Sequence, residues 1–75
     1  MAWQRSKKIT ALWAINEPNN AWAWVDGIGW RKCEDNNNTT NLLTLCAHAK
    51  STNSFVDFDE QTHDGATRIA QIYVW

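Results

Sequence analysis

The chain has 75 residues, of which six are tryptophan, two cysteine and one proline, and its formal net charge is −1. A chain this short buries only roughly 60% of the surface its unfolded form exposes, so residues 1–75 make a single domain and not a multi-domain enzyme with a deep cleft. Apolar residues at 44% and charged residues at 20% exclude a disordered tail, and no apolar run approaches the ~18 residues of a membrane span.

The first predicted strand runs from Lys7 to Ile15, where Ile9, Ala11, Trp13 and Ile15 alternate with Lys8, Thr10, Leu12 and Ala14 in the strand period of two. Both faces are partly apolar, which predicts a central strand with Trp13 in the core. Asn16-Glu17-Pro18-Asn19-Asn20 collects residues that preset or tolerate turn dihedrals, so the chain turns there. The second strand, Ala21 to Val25, sets Trp22 and Trp24 on one face and Ala21, Ala23 and Val25 on the other. Asp26-Gly27-Ile28-Gly29 carries an Asp-Gly hairpin signal, and Trp30 to Glu34 returns as the third strand.

After the polar break Asp35-Asn36-Asn37-Asn38 the period changes. Leu42, Leu45, Cys46 and Ala49 fall at i, i+3, i+4 and i+7, the apolar stripe of one helix from Thr39 or Thr40 to about Ser51. Thr39 or Thr40 is the expected N-cap, and Lys50 suits the negative end. Phe55 to Asp59 reads as a fourth strand with Val56 and Phe58 inward and Asp57 and Asp59 outward and solvated. Thr62-His63-Asp64-Gly65 is a further turn, and Arg68 to Trp75 a fifth strand rich in branched and aromatic residues. The order β-β-β-α-β-β makes a mainly β domain with one helix, an OB-like, partly open small barrel with the helix plugging one end. The alternative is an α+β roll with the helix packed on one antiparallel sheet.

Charge is divided almost evenly, with a net of +1 over residues 1–37 and −2 over residues 38–75. That balance lacks the basic surface that phosphate neutralisation needs, so nucleic acid is an unlikely partner. The tryptophans carry the functional signal. Trp75 is expected to cover a barrel mouth or an interface. Trp22, Trp24 and Trp30 flank one hairpin tip beside Asn19, Asn20, Asp26, Arg31 and Lys32. An indole face next to amides and charged groups suits the C–H face of a sugar ring, whose hydroxyls find polar partners. It equally suits a protein interface, where tryptophan is enriched, and each indole could instead fill core.

Cys33 and Cys46 are a candidate disulfide, worth about 2–3 kcal/mol for a loop of that size and implying an oxidising compartment. Two buried free thiols are the other reading. A bonded pair points to secretion and a free pair to the cytoplasm, and residues 1–8 do not open like a secretory signal. There is no CxxC and no cluster at metal-ligand spacing, so neither a metal nor another cofactor is expected. His63 lies in turn chemistry and His48 off the helix stripe, so no catalytic residue is assigned and the chain is read as a non-enzyme. The acidic edge Asp57, Asp59, Glu60 and Asp64 lacks the ligand spacing of a calcium loop. Asn37-Asn38-Thr39 and Asn38-Thr39-Thr40 match the glycosylation acceptor pattern, which matters only in a secreted eukaryotic protein.

The segment Leu42 to Val56, an apolar Leu- and Ala-rich helix ending in the polar turn Ser51-Thr52-Asn53 before a valine-led strand, resembles the helix-to-strand passage of small bacterial OB-fold B-subunit-like proteins. These are relatives of the pentameric, glycan-binding B subunits of AB-type toxins. Arg68 to Trp75 looks like the closing strand of the same group, so the resemblance covers about residues 40–75. It implies an OB fold, assembly into a homo-oligomeric ring such as a pentamer through edge strands and helices, secretion, and recognition of cell-surface sugars. It transfers no sugar-binding residue. The expectation that follows is a non-catalytic, lectin-like module that self-assembles and uses Trp22, Trp24 and Trp30. The alternatives are a structural module whose indoles bury in a partner or in identical subunits, and, less favoured, a single-strand nucleic-acid binder that stacks bases on aromatics.

Overall fold

A computed structural model describes residues 2–75. The elements run β1 (Ala2–Lys7), β2 (Ile9–Ala14), β3 (Ala21–Val25), β4 (Gly29–Cys33), α1 (Thr39–Thr52), β5 (Val56–His63) and β6 (Ala66–Val74). They form one six-stranded sheet in the order β1-β5-β6-β4-β3-β2, with α1 packed against it. The domain is thus mainly β with a single helix, and the order gains one strand, β1, ahead of those expected. Neighbours are antiparallel except β4 and β6, whose parallel pairing uses α1 and β5 as the crossover.

The sheet is not a closed barrel. β1 and β2 sit at opposite edges although only Lys8 separates them, so residues 2–14 act as one sharply bent segment that borders both sides. The bend has visible causes. Ser6 takes φ 56°, its N–H donates to Asp57 Oδ1 at 2.8 Å, and the register with β5 shifts between Gln4 and Lys7. A second shift lies between Ile9 and Ala11 on β2. Lys8 itself is tied down at both ends. Its carbonyl accepts from the Asp26 N–H at 2.9 Å, and its ammonium donates to the Asn53 carbonyl at 2.5 Å while standing 4.2 Å from the Phe55 ring centroid.

The bulge on β2 corrects the position of Trp13. Regular alternation would put Trp13 on the face of Ile9, which is buried. The inserted residue instead pairs Leu12 with Ala23 and Trp13 with Trp22, so Leu12 turns inward and Trp13 is 50% exposed. Trp75 covers no core either, being 71% exposed.

The core lies between α1 and one sheet face, from Ile9, Ala21, Ala23, Val25, Cys33, Val56, Phe58 and Ile69 on the strands to Leu42, Cys46 and Ala49 on the helix. The small Ala21 and Ala23 leave room for the helix. Its buried stripe is Thr39, Leu42, Cys46 and Ala49, while Leu45, expected inside, is exposed because it falls beside this narrow line. Asn38, not a threonine, precedes the first turn, and the Thr39 hydroxyl points inward to donate to the carbonyls of Glu34 and Asn36. The helix ends as its polar turn predicts. Asn53 takes the left-handed conformation, and the Ser54 N–H closes onto the Ala49 carbonyl at 3.0 Å.

Asp57 and Asp59 do face away from Val56 and Phe58, but they are buried and not solvated. The Trp3 ring on β1 meets the Tyr73 ring on β6 with centroids 5.7 Å apart, which roofs the two carboxylates on the strand between. Phe58, wholly buried under the helix side, should matter most to stability. Phe58→Ala is expected to cost about 3–5 kcal/mol in urea unfolding followed by circular dichroism, and a loss below about 1 kcal/mol would place the core elsewhere.

Candidate functional site

Four indoles meet on the sheet face away from the helix. β3 contributes Trp22 and Trp24 because Ala21, Ala23 and Val25 take the inner face. β4 adds Trp30, directly opposite Trp24, and the bulged β2 adds Trp13, opposite Trp22. Ring centroids lie 5.9 Å apart for Trp13 and Trp22, 6.2 Å for Trp13 and Trp30, and 5.5 Å for Trp24 and Trp30. The last pair is edge-to-face at 84°, the arrangement that the ring quadrupoles favour. Trp24 and Trp30 are 39% and 40% exposed, so the cluster packs on itself and still faces solvent. Gly29 lies beneath the outer ring atoms of Trp24 and takes φ 107°, a conformation that favours glycine.

The structure brings Trp22, Trp24 and Trp30 together as expected and adds Trp13. The polar companions are distributed differently. Arg31 pairs with Ala23 across the ladder and so lies on the other face, where its Nε is 2.5 Å from Glu60 Oε2. Asn20 is engaged locally, accepting from the Trp22 indole N–H at 2.8 Å and donating to Glu17 at 2.8 Å. Asn19 and Asp26 are exposed in turns at opposite ends of β3. The polar group that does join the face is Lys32, 5.9 Å from the Trp22 centroid and 3.6 Å from Asp35. Its i+2 relation to Trp30 on one strand was a usable sequence signal. Trp13 had none, because a bulge leaves no mark in an alternating pattern.

A charged cluster borders this face. His63 Nε2 lies 2.7 Å from Glu34 Oε1, and Arg68 Nε lies 3.2 Å from Asp35 and 3.9 Å from Glu34. The Glu34 carboxylate, then Asp64, raise the His63 pKa above its ordinary 6.5. Burial works against ionisation of Asp35, but its backbone hydrogen bond, Arg68 and Lys32 outweigh that and lower its pKa. Ligand atoms of Glu34, Asp35 and His63 lie within 4.8 Å of one another, close enough to hold a metal ion. The Arg68 guanidinium already occupies the cation's role there. The cluster staples the β5–β6 hairpin to the loop before α1.

Cys33 and Cys46 are both fully buried and stand as free thiols in contact with each other, joining the end of β4 to the inner side of α1. Their mutual hydrogen bond and burial push the Cys46 pKa far up, which keeps it a neutral thiol. Among the described residues no enclosed pocket is found, and no helix is long and apolar enough to cross a membrane. Comparison with protein-family models, with curated proteins and with solved structures finds no match.

Two measurements test these arrangements. Protonated His63 is the form that Glu34 holds, so the stability it adds is complete below pH 6.5 and fades as pH rises through the higher folded value. The advantage of the wild type over His63→Gln in urea should therefore shrink between acid and mildly alkaline pH; an advantage that grows with pH would contradict the geometry. For the thiols, iodoacetamide should leave the native chain unlabelled and label both cysteines after denaturation without reductant.

Proposed function

We propose that the chain is a non-catalytic binding module whose indole face on β2, β3 and β4 takes up sugar rings. The observation that carries this is the contiguity of Trp13, Trp22, Trp24 and Trp30 on an open, pocket-free sheet face. Such a surface offers aromatic area to a flat ligand without enclosing it, which suits binding and not chemistry. A net charge of −1 favours a neutral glycan over a polyanion.

Connectivity adds an analogy. With residues 2–14 counted as one bent strand, β3 and β4 become the second and third strands of a five-stranded arrangement, and in OB-type barrels that face and its loops receive oligosaccharides and oligonucleotides. A likeness of fold is weaker support for a function than the indoles themselves. A shallow site binds weakly by itself. Repetition around a homo-oligomeric ring, a pentamer in the group that residues 40–75 resemble, would raise its effective affinity without new contacts.

One observation favours a second reading, in which the face is a subunit or partner interface. The Trp22 N–H and Asn20 are already satisfied within the chain, and Arg31 points away, so few polar groups remain beside the rings for hydroxyls.

Trp24→Ala separates the two. Its ring contacts Trp30 at the surface, so the variant should lose about 0.5–1.5 kcal/mol for the ring pair on top of the apolar area the half-buried indole covers, and keep its helix signal. On the glycan reading, retention on a glycan array falls at least about tenfold, equivalent to roughly 1.4 kcal/mol, with sedimentation unchanged. Unchanged retention together with a shift from oligomer to monomer would replace the glycan reading with the interface.

A further inference from the structure

We propose that a second sugar platform lies on the opposite flank of the same sheet face, where Trp3, Tyr73 and Trp75 form an exposed, offset-stacked aromatic row beside the carboxylate of Asp59. It uses none of the four indoles already described and stands independently of them.

The rings differ from those indoles in arrangement. Trp3 and Tyr73 have centroids 5.7 Å apart at 27°, and Tyr73 and Trp75 have centroids 5.9 Å apart at 21°. Carbon atoms of stacked rings touch at roughly 3.5–4.0 Å, so nearly parallel rings with these separations must be displaced sideways. They overlap only in part, which leaves Tyr73 56% exposed and Trp75 71% exposed. The Trp24–Trp30 pair, at 84°, has one ring edge-on to the other. The uncovered part of an offset-stacked ring offers its face to the C–H face of a pyranose.

The polar company is also here. Asp57 is engaged: the Ser6 N–H and Arg5 donate to it, and they, with Trp75 nearby, lower its pKa against the effect of burial. Asp59 is only half engaged. One oxygen accepts from Gln71 Nε2 at 3.2 Å, and Oδ1 is buried with no partner. A buried carboxylate oxygen without a donor is costly, and a ligand hydroxyl is the group that answers it. Arg5 places a guanidinium 5.4 Å from the Trp3 centroid and pairs with Asp57, so the acceptor left open beside the rings is the Asp59 oxygen. Trp3 pairs with Asp59 from an edge strand, and seating a ligand hydroxyl on Asp59 requires its side chain to rotate outward.

The test is a titration of the full chain with methyl β-galactoside, methyl α-mannoside and triacetylchitotriose, reading the six indole N–H resonances by heteronuclear NMR after assignment with single Trp→Phe variants. At least one sugar should shift the Trp3 and Trp75 resonances, and this response should persist in Trp24→Ala, while the Trp3 shift should vanish in Trp75→Ala with the remaining amide spectrum still that of the folded chain. Asp59→Asn should weaken it about tenfold, as loss of a hydrogen bond to a charged group would. Shifts confined to Trp13, Trp22, Trp24 and Trp30 would overturn the second platform while leaving the first intact. No shift with any of the three sugars, or wild-type binding by both Trp75→Ala and Asp59→Asn, would also overturn it.

Discussion

The architecture depends on one bend. Because a single residue, Lys8, separates strands at opposite edges of the sheet, the chain must turn sharply there, and everything else is arranged around that turn. Lys8 meets three elements at once: its carbonyl holds the start of the β3–β4 hairpin, its ammonium caps the carbonyl end of α1, and its charge rests against Phe55. A cation at the negative end of a helix is favourable in its own right. Here it also fixes where the helix stops relative to the first strands. On the other side of the bend Asp57 holds the left-handed Ser6 through its backbone N–H, so a side chain of β5 stabilises a backbone conformation of β1 that a serine would not adopt unaided.

The same bend decides which indoles face solvent. Bulges on both halves of the 2–14 segment let it follow the curvature of the sheet, and the one on β2 reverses the alternation of Ala11, Leu12 and Trp13. Leu12 then packs against the core, and Trp13 joins the outer cluster. The inner face meanwhile is lined by Ala21, Ala23, Val25 and Cys33 where the helix approaches closely, with Phe58 and Ile69 filling the rest. The four indoles on β2, β3 and β4 are therefore placed outside by strand alternation and the bulge before any function is considered. Self-packing of the four rings recovers part of the hydrophobic free energy that burial would have provided.

Legibility in the sequence followed how local each signal was. The Asp26-Gly27-Ile28-Gly29 hairpin reads directly from residues that need positive φ, since Gly27 and Gly29 adopt 82° and 107°. The helix, its polar end and the alternation of Trp22 and Trp24 are legible for the same reason, each resting on a period within one segment. Strand β1 is not, because Gln4, Arg5, Ser6 and Lys7 carry no apolar alternation and the strand exists only through its pairing with β5. Arg31 stands beside Trp30 in sequence, yet adjacency along a strand means opposite faces. The roofing of Asp57 and Asp59 depends on Trp3, more than fifty residues away, and no local pattern could announce it.

Burial of Asp59 shows what distinguishes the two aromatic groups. Around the four indoles Lys32 pairs with Asp35, and Arg68 pairs with Asp35 and donates to the His63 carbonyl, although its buried Nε makes no hydrogen bond. The charges there are matched by opposite charges, and the face presents mainly ring surface. On the other flank the atom left without a partner is an acceptor, one carboxylate oxygen of Asp59, on the strand next to the edge strand that carries Trp3. Within the chain Asp59 accepts one hydrogen bond, from Gln71, through its other oxygen, and an asparagine would keep an oxygen in that place. The unpaired oxygen is therefore better explained by what it can accept from outside the chain than by what it holds within it.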